Sequence, residues 1–494
     1  MKQYILALDQ GTTGSRAFIF DRRGKIISAS YQEFKQYFPK PGWVEHDAEE
    51  IWRSCVLVVT SAVQQAKIPP SAITAIGITN QRETTVLWDR KTSKPVSRAI
   101  VWQCRRTTDV CQALRKRGLE KTFRHKTGLL LDPYFSGTKI QWILDHVPGL
   151  RKRARRGDIC FGTIDSWLIW KLTGGKSHST DVTNASRTLI FNIKDLKWDF
   201  ELLKILKIPS SILPRVYHSG AVFGHTAKGA AGLSAGIPIA AVMGDQQSAL
   251  YGQGCYEPGA VKNTYGTGCF IVLNTGNKLA YSGKGLLSTV AADDQGKPIY
   301  ALEGSVFIAG AAIQWLRDQL KVIQRFSDSE KAITGLKDTG GVYFVPAFTG
   351  LGAPHWKAEA RGVICGLTRG ANAGHIIRAA LESIAYQTKD VFDLMQSEFG
   401  RPIKELRVDG GATTNNFLMQ FQADILNCKI IRPKVSESTA QGVAHLAGVT
   451  VGILKGKKDL QNLHQVEKVF TPQMSQSDRT RLYAGWQQAV KRAI

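Results

Sequence analysis

The sequence predicts an α/β protein of two domains, and three observations support this prediction. First, short apolar runs rich in β-branched residues, such as YILAL, RAFIF and ITAIGIT, accompany a helical pattern, DAEEIWRSCVLVVTSAVQQAK, with an expected N-cap at Asp47. Second, 494 residues exceed what one hydrophobic core accommodates. Third, each half begins with two strands joined by a turn rich in glycine and threonine, DQGTTGS and YGTGC. This weak internal repeat predicts two related domains, 1–250 and 251–494, that face each other across a cleft.

The composition excludes several classes of protein. No run approaches the ~20 apolar residues of a membrane span, and the apolar run after Lys2 ends at Asp9, which is too short for a signal peptide. We therefore expect a cytoplasmic protein without a membrane span. The eight cysteines form no CxxC pair, so we expect buried thiols and no zinc site. The net charge of +25 is typical either of nucleic-acid binding or of a basic surface that attracts anionic ligands. No nucleic-acid motif accompanies the charge, so we expect no nucleic-acid partner.

The turn DQGTTGS is the first candidate for chemistry. Successive backbone N–H groups in the turn 11–14 would form a concavity that binds an anion, and Thr12 and Thr13 would add hydroxyl donors. Arg16 adds a positive charge, and Asp9, at the end of the first strand, is suited to hold Mg²⁺ directly or through water. Glycine with serine or threonine is also typical of ordinary turns, so these residues alone leave both interpretations open.

Three later stretches place polar residues after apolar strands. In NQRETT, Arg82 and Glu83 would suit a polyhydroxy substrate, because one donates to hydroxyls and the other accepts from them; the alternative is an exposed ion pair. In AAVMGDQQ, Asp245 would accept a substrate hydroxyl proton or act as a helix N-cap. In VDGGATTNN, a double glycine including Gly411 permits close approach of a flat ligand, and Asn415, on the following helix, could hydrogen-bond a purine or ribose.

Taken together and in this order, the stretches identify a family resemblance. The segments LALDQGTTGSRA, GITNQRETTVLWD, DPYFSGTKIQWILD, GDQQSALYGQG, NTYGTGCFIVLNTG and DGGATTNNFLMQFQADIL resemble the glycerol kinases of the FGGY carbohydrate kinase family, in the actin/hexokinase/Hsp70-like ATPase superfamily. The resemblance runs over residues 3–450. It implies two ribonuclease H-like domains across an active-site cleft, with glycerol and the phosphate hairpin in the first and the nucleotide in the second. It implies a transferase that uses ATP and Mg²⁺ to convert glycerol to sn-glycerol 3-phosphate in glycerol catabolism. Relatives of this kind are homodimers or homotetramers.

The resemblance also implies roles for individual residues. Asp245 matches the general base, and the glycerol-binding positions are Arg82, Glu83, Tyr134, Asp245 and Gln246, with Trp102 and Phe270 as apolar walls. The nucleotide and phosphate positions are Thr12, Thr13, Arg16, Thr267, Gly310, Gln314, Gly411 and Asn415. Asp9 matches the magnesium-associated aspartate, directly or through water, and Asp245 is a second candidate ligand for the metal.

Two positions depart from the family pattern. Gly14 stands where the family hairpin DQGTTSSR has its first serine, so we expect a weaker nucleotide contact with activity retained. Gly236 stands where relatives inhibited by fructose 1,6-bisphosphate carry an arginine, which argues against that inhibition. Three alternatives remain at this stage: a kinase for another polyol, a chaperone-type ATPase that shares the superfamily hairpins, and a nucleic-acid binder that would rest on charge alone.

Overall fold

Two mixed β-sheets organise the computed structural model, which describes residues 3–357 and 359–494. The strands of the first sheet are β1 (Tyr4–Gln10), β2 (Gly14–Asp21), β3 (Ile26–Glu33), β4 (Ile73–Asn80) and β5 (Ile239–Gly244). The strands of the second sheet are β6 (Val261–Tyr265), β7 (Cys269–Gly276), β8 (Leu287–Ala291), β9 (Ile299–Val306), β10 (Glu405–Asp409), β11 (Lys429–Pro433) and β12 (Val466–Phe470). Their spatial orders are β5-β4-β1-β2-β3 and β8-β9-β7-β6-β10-β11-β12.

The two sheets share one topology, which confirms the internal repeat. In the first sheet β1, β2 and β3 are antiparallel neighbours, and β4 and β5 continue the sheet from β1 as parallel strands. In the second sheet β6, β7 and β9 form the antiparallel part, and β10 and β11 continue it from β6 in parallel. The turns DQGTTGS and YGTGC occupy the same place in the two sheets, between the first and second strands. The predicted pair of related α/β units is therefore present.

Helices cover both sheets, and short strand pairs lie outside them. The helices are α1 (Ala48–Gln65), α2 (Thr108–Lys116), α3 (Glu120–Thr127), α4 (Ser136–His146), α5 (Leu150–Arg155), α6 (Ile164–Leu172), α7 (Val182–Ala185), α8 (Phe200–Ile205), α9 (Asp245–Gly252), α10 (Gly310–Asp318), α11 (Asp328–Ala332), α12 (Ala373–Phe399), α13 (Asn416–Leu426), α14 (Ser438–Thr450), α15 (Lys457–Leu463) and α16 (Gln476–Lys491). The short strands are Glu45–His46, Val86–Asp89, Ala99–Ile100, Ile159–Gly162, Ser179–Asp181, Phe191–Asn192, Lys197–Trp198, Arg215–Tyr217, Tyr343–Val345 and Val363–Cys365.

The central strand β1 is buried on both faces. Leu6 and Leu8 pack into the cluster beneath α1, while Ile5 and Ala7 pack into a second cluster beneath α14. Such a strand reads as a continuous apolar run, as YILAL does, because both faces of the sheet are covered. The predicted N-cap of α1 is confirmed, since the Asp47 side chain accepts from two amides of the first turn at 2.8 and 3.2 Å.

No helix in the described part of the chain is long and apolar enough to cross a membrane. All eight cysteines are free, and seven of them are buried, as expected from their spacing.

Helices α9 and α14 cross where the two halves of the chain join. Helix α9 leaves β5 and leads into the second sheet, while α14 follows β11 yet packs against the first sheet. At the crossing a Cβ on Gly252 would lie 2.8 Å from the Gly442 nitrogen, and one on Gly442 would lie 2.9 Å from the Gly252 nitrogen. Carbonyl oxygens of the facing helix would be closer still. Only two glycines allow the helix backbones to approach this far.

We predict that Gly442→Ala destabilises the protein by about 3 kcal/mol or more, because the added methyl group meets rigid backbone instead of a movable side chain. Chemical unfolding of the variant measures the loss. Gly283→Ala is the matched control, since nothing lies within 4 Å of a Cβ at that position and its backbone is not left-handed. Equal stability of the two variants would contradict the close helix crossing.

Candidate active site

The loop after β4 turns two charged side chains inward. The strand ends at Asn80, so Arg82 and Glu83 are free of the alternation that would send neighbouring strand residues to opposite faces. Glu83 has φ +61°, a left-handed conformation that is uncommon for a residue with a side chain. Arg82 and Glu83 are 3% and 1% exposed, so the alternative of an exposed ion pair is wrong.

A buried ion network surrounds these two residues. Arg82 donates to both carboxylate oxygens of Glu303, from Nη1 at 2.5 Å and from Nη2 at 3.1 Å. Arg187 donates from Nε to Glu83 at 2.6 Å and from Nη2 to Glu303 at 3.0 Å. Burial opposes ionisation of Glu303, but Arg187 and Arg82 outweigh it and lower its pKa to about 2. Burial raises the pKa of Glu83, and the same two arginines offset that effect only in part.

Sequence reasoning missed Arg187, Glu303, Lys262 and Gln247. The signal for Glu303 was present, because a glutamate interrupts the apolar pattern of β9. Lys262 interrupts β6 in the same way. Arg187 and Gln247 interrupt no such strand pattern, so the local sequence does not mark either of them as a site residue.

Asp245 lies where β5 passes into α9, at the rim of this network. Its Oδ1 is 3.0 Å from Nε of Arg82, and its side chain is 32% exposed while that of Arg82 is 2% exposed. Gly244 is the N-cap of α9, and Asp245 is the first helical residue, so the N-cap interpretation of Asp245 is wrong. A carboxylate that is held by a buried guanidinium and remains open on one side can accept a proton from a ligand.

Aromatic rings wall the space beside the carboxylates. The ring centroids of Trp102 and Tyr134 lie 5.5 Å apart in an edge-on arrangement, and those of Trp102 and Phe270 lie 6.4 Å apart. Phe270 belongs to β7 of the second sheet. Trp102 Nε1 donates to Thr12 Oγ1 at 3.0 Å, and this bond ties the wall to the first glycine turn. The predicted apolar residues therefore do come together: Trp102 comes from a loop in the first half of the chain, and Phe270 comes from the second sheet.

Gln246 is held from the second sheet. Lys262, which is buried on β6, donates from Nζ to the side-chain oxygen of Gln246 and to Thr264 Oγ1. Burial lowers the pKa of Lys262 to about 8. Because the amide oxygen of Gln246 is engaged, its NH₂ group is the part left to donate to a ligand.

The first glycine turn is closed by a backbone bond from Gly11 N to Gly14 O at 2.9 Å. Thr13 and Arg16 are exposed near it, and Arg16 pairs with Glu437, which precedes α14, at 3.2 Å. The side chains predicted to bind phosphate thus lie on one hairpin, and Arg16 also contacts the second half of the chain through Glu437.

The nucleotide positions predicted in the second half of the chain lie in two places, one at the start of α10 and one before α13. Thr267, in the turn between β6 and β7, accepts from Ala309 N at 2.8 Å, which brings it next to Gly310 at the start of α10. Gln314 is exposed one turn later on that helix. Asn415 precedes α13 as its N-cap instead of lying on the helix, and its amide accepts from Leu418 N and donates to Ser329. Gly411 begins the short turn before it.

Comparison with known proteins identifies the family. The models of the N-terminal and C-terminal domains of the FGGY family of carbohydrate kinases match residues 4–252 and 261–451. The chain belongs to the FGGY family of carbohydrate kinases. It is 58% identical to a glycerol kinase of Petrotoga mobilis over 493 residues, covering 100% of this chain and 99% of the relative. It is 55% identical to glycerol kinase 2 of Thermotoga maritima over 492 residues, again covering 100% and 99%.

Solved structures of FGGY kinases confirm the predicted fold. A crystal structure of Plasmodium falciparum glycerol kinase with ADP matches with a TM-score of 0.94 at 37% identity, covering 100% of this chain and 98% of that one. A ligand-bound xylulose kinase from Lactobacillus acidophilus matches with a TM-score of 0.88 at 24% identity, covering 99% and 97%. The second match shows the fold alone. The repeated sheet topology of this FGGY chain is that of the actin-like ATPases, as the resemblance implied.

The departure at Gly14 has a structural partner in this FGGY chain. A Cβ on Gly14 would lie 2.8 Å from both Cζ and Oη of Tyr31, on the neighbouring strand β3. The half-exposed Tyr31 ring therefore lies over the turn where a serine side chain would stand. The Arg16 guanidinium lies 5.5 Å from the same ring. Glycine at position 14 therefore does more than remove a hydroxyl group, because the Tyr31 ring occupies the space that a serine side chain would need.

The carboxylate of Asp9 fits a magnesium ion. Asp9 is 8% exposed, and its carboxylate accepts no hydrogen bond from the residues that the structure describes. Burial raises its pKa to about 7 against the attraction of Arg16, and the charge of Asp245 adds to the rise. A buried carboxylate without a donor, near a second carboxylate, suits a hard divalent cation. No cluster of three or more candidate metal ligands occurs among residues 3–357 and 359–494.

We predict that the effects of Gly14→Ser and Tyr31→Ala on stability are not additive. In the parent chain the serine must displace the Tyr31 ring, whereas in the Tyr31→Ala background the space is empty. The coupling free energy, measured by chemical unfolding of both single variants and the double variant, should be about 0.5–2 kcal/mol. Additive effects would show that the ring does not occupy the turn.

Proposed function

We propose that the chain transfers the γ-phosphoryl group of ATP to glycerol and releases sn-glycerol 3-phosphate and ADP. The observation that carries the proposal is the carboxylate of Asp245, which is partly exposed and lies 3.0 Å from Nε of the buried Arg82, next to Glu83 in the sequence. The relatives from Petrotoga mobilis and Thermotoga maritima are glycerol kinases, and the Plasmodium falciparum glycerol kinase was solved with ADP. These matches support glycerol as acceptor and ATP as donor.

A small polyol fits the chemistry of the pocket. Arg82 donates to one hydroxyl, and Glu83 accepts from a neighbouring one. Burial raises the pKa of Tyr134, so its phenol remains a neutral donor, and the NH₂ group of Gln246 is also free to donate. Trp102 and Phe270 would face the carbon atoms. A pocket closed by these rings favours a three-carbon acceptor over a sugar.

Asp245 acts as the general base. Its carboxylate takes the proton from the remaining terminal hydroxyl as that oxygen attacks the γ-phosphorus, and the P–O bond to ADP breaks. The guanidinium of Arg82 holds the carboxylate in place and is not itself a proton acceptor. No covalent intermediate is needed. Approach of the two domains would exclude water and limit hydrolysis of ATP.

The two glycine turns hold the nucleotide. The first turn, with Thr12, Thr13 and Arg16, places amides, hydroxyls and a positive charge around the phosphates. The nucleotide positions of the second half are Thr267, Gly310, Gln314, Gly411 and Asn415. Asp9 would hold Mg²⁺, directly or through water, with Asp245 as a second candidate ligand. The bound ion would neutralise charge on the transferred phosphoryl group.

The proposal also covers the domain extents, the oligomeric state and the cellular location of the enzyme. We expect domains with extents 1–250 and 251–494, a homodimer or homotetramer, and a location in the cytoplasm.

We predict that Asp245→Asn lowers turnover by about 10² or more, because an amide cannot accept the hydroxyl proton. Glycerol-dependent ADP release measures turnover, and titration with ATP shows that nucleotide binding persists. Asp158→Asn is the control, since Asp158 is paired with Arg156 on the surface. Turnover near that of the parent enzyme in the Asp245 variant would contradict a general base at this position.

A further inference from the structure

The second domain supplies a buried carboxylate to the polyol site. Glu303 lies on β9, is 0% exposed, and accepts hydrogen bonds from Arg82 and Arg187 with both oxygens. Arg82 follows β4 in the first sheet, 221 positions away in the sequence. A paired guanidinium and carboxylate with two parallel bonds is a rigid unit with a defined plane. The orientation of Arg82 therefore depends on a residue from the other domain.

We propose that Glu303 and Arg187 are positioning residues that determine which N–H of Arg82 and which oxygen of Glu83 face the polyol. This inference rests on the proposed function, because it concerns the same acceptor site. Neither residue touches the acceptor in this account. Glu303 and Arg187 both act through Arg82 and Glu83, which contact the acceptor.

The network leaves one N–H group of Arg82 free. A guanidinium has five N–H groups. Three of them donate to Glu303 and Gln247, and Nε lies 3.0 Å from Asp245. One N–H on Nη2 remains, and it is the group available to a hydroxyl of the polyol.

The network also leaves one carboxylate oxygen of Glu83 free. Its Oε1 accepts from Arg187, while no donor among the described residues bonds to Oε2. One free donor on Arg82 and one free acceptor on the adjacent Glu83 match two neighbouring hydroxyl groups. Arg82 has several donors and Glu83 has several acceptors, but the network leaves one of each free, and together these two can bind a diol.

Arg187 is buried as completely as Glu303. It is 0% exposed, and its guanidinium lies over the rings of Tyr134 and Phe135 at 5.4 and 5.3 Å. A buried cation needs its anionic partners, because removal of one partner leaves an uncompensated charge. Loss of the Glu303 charge would leave two buried guanidinium groups competing for Glu83, and Arg82 would then lose its orientation toward the polyol.

The test compares Glu303→Gln with Glu382→Gln. Glu382 is a matched control, since it is buried in the second domain and accepts from Arg378 at 2.9 Å and from Tyr386. Both variants should unfold at lower temperature. Only Glu303→Gln should raise the glycerol KM, by about 10- to 100-fold, the scale of a lost charged hydrogen bond. Its ATP KM should stay within about twofold of the parent value.

Two further variants keep the test decisive. Glu303→Asp retains the charge but is too short to keep all three bonds, and Arg187→Lys retains the charge but cannot bridge Glu83 and Glu303. Both should raise the glycerol KM. An unchanged glycerol KM in the folded variants, or an equal rise in Glu382→Gln, would overturn the inference. Failure of all three network variants to fold would overturn it too, because the network would then be structural.

The parent enzyme separates this inference from the proposed function. Glycerol-dependent ADP release by the parent protein supports the function whatever the variants do. If the parent protein turns over glycerol and the variants keep its glycerol KM, only the positioning role fails. If the parent protein shows no glycerol-dependent ADP release, the proposed function fails, and the positioning role fails with it.

Discussion

Four buried charges, Arg82 and Arg187 against Glu83 and Glu303, impose the strictest physical condition on this fold. Removing such groups from water costs several kcal/mol per ion, and that cost is offset only if every charge keeps its partners in good geometry. Three of the four come from the first domain, whereas Glu303 comes from the second. The two sheets must therefore meet at this point, and the glycine crossing of α9 and α14 lets the helices that join them approach closely enough.

The position of the candidate base follows from the same junction. Strand β5 ends at the buried network, and α9 starts there and leads away into the second domain. Asp245, as the first residue of α9, lies 3.0 Å from a buried guanidinium and keeps a partly exposed side chain. Phe270 and Lys262 reach the same place from the second sheet, through Trp102 and Gln246. The candidate site therefore contains residues from both halves of the chain.

The sequence predicted the repeated sheets, the glycine turns and the candidate residues around them, because local spacing and the family resemblance both carry that information. It did not predict Arg187 or Glu303, whose bonds span 104 and 221 positions and follow no local period. Nor did it predict the Tyr31 ring over Gly14, since strand register decides which residue lies over the turn. The sequence left two interpretations of Asp245 open, because a shift of one residue in the start of α9 decides whether Asp245 is the N-cap or the first helical residue.

Acceptor-dependent ADP release across a panel of polyols tests the central claim most directly. The panel contains glycerol, dihydroxyacetone, longer sugar alcohols and a mixture without acceptor. The proposed binding of a diol by Arg82 and Glu83, next to the aromatic rings, predicts saturable ADP release with glycerol, weaker release with the other acceptors, and little release without any. ADP release that is independent of the acceptor, or that is fastest with a larger sugar alcohol, would contradict the account.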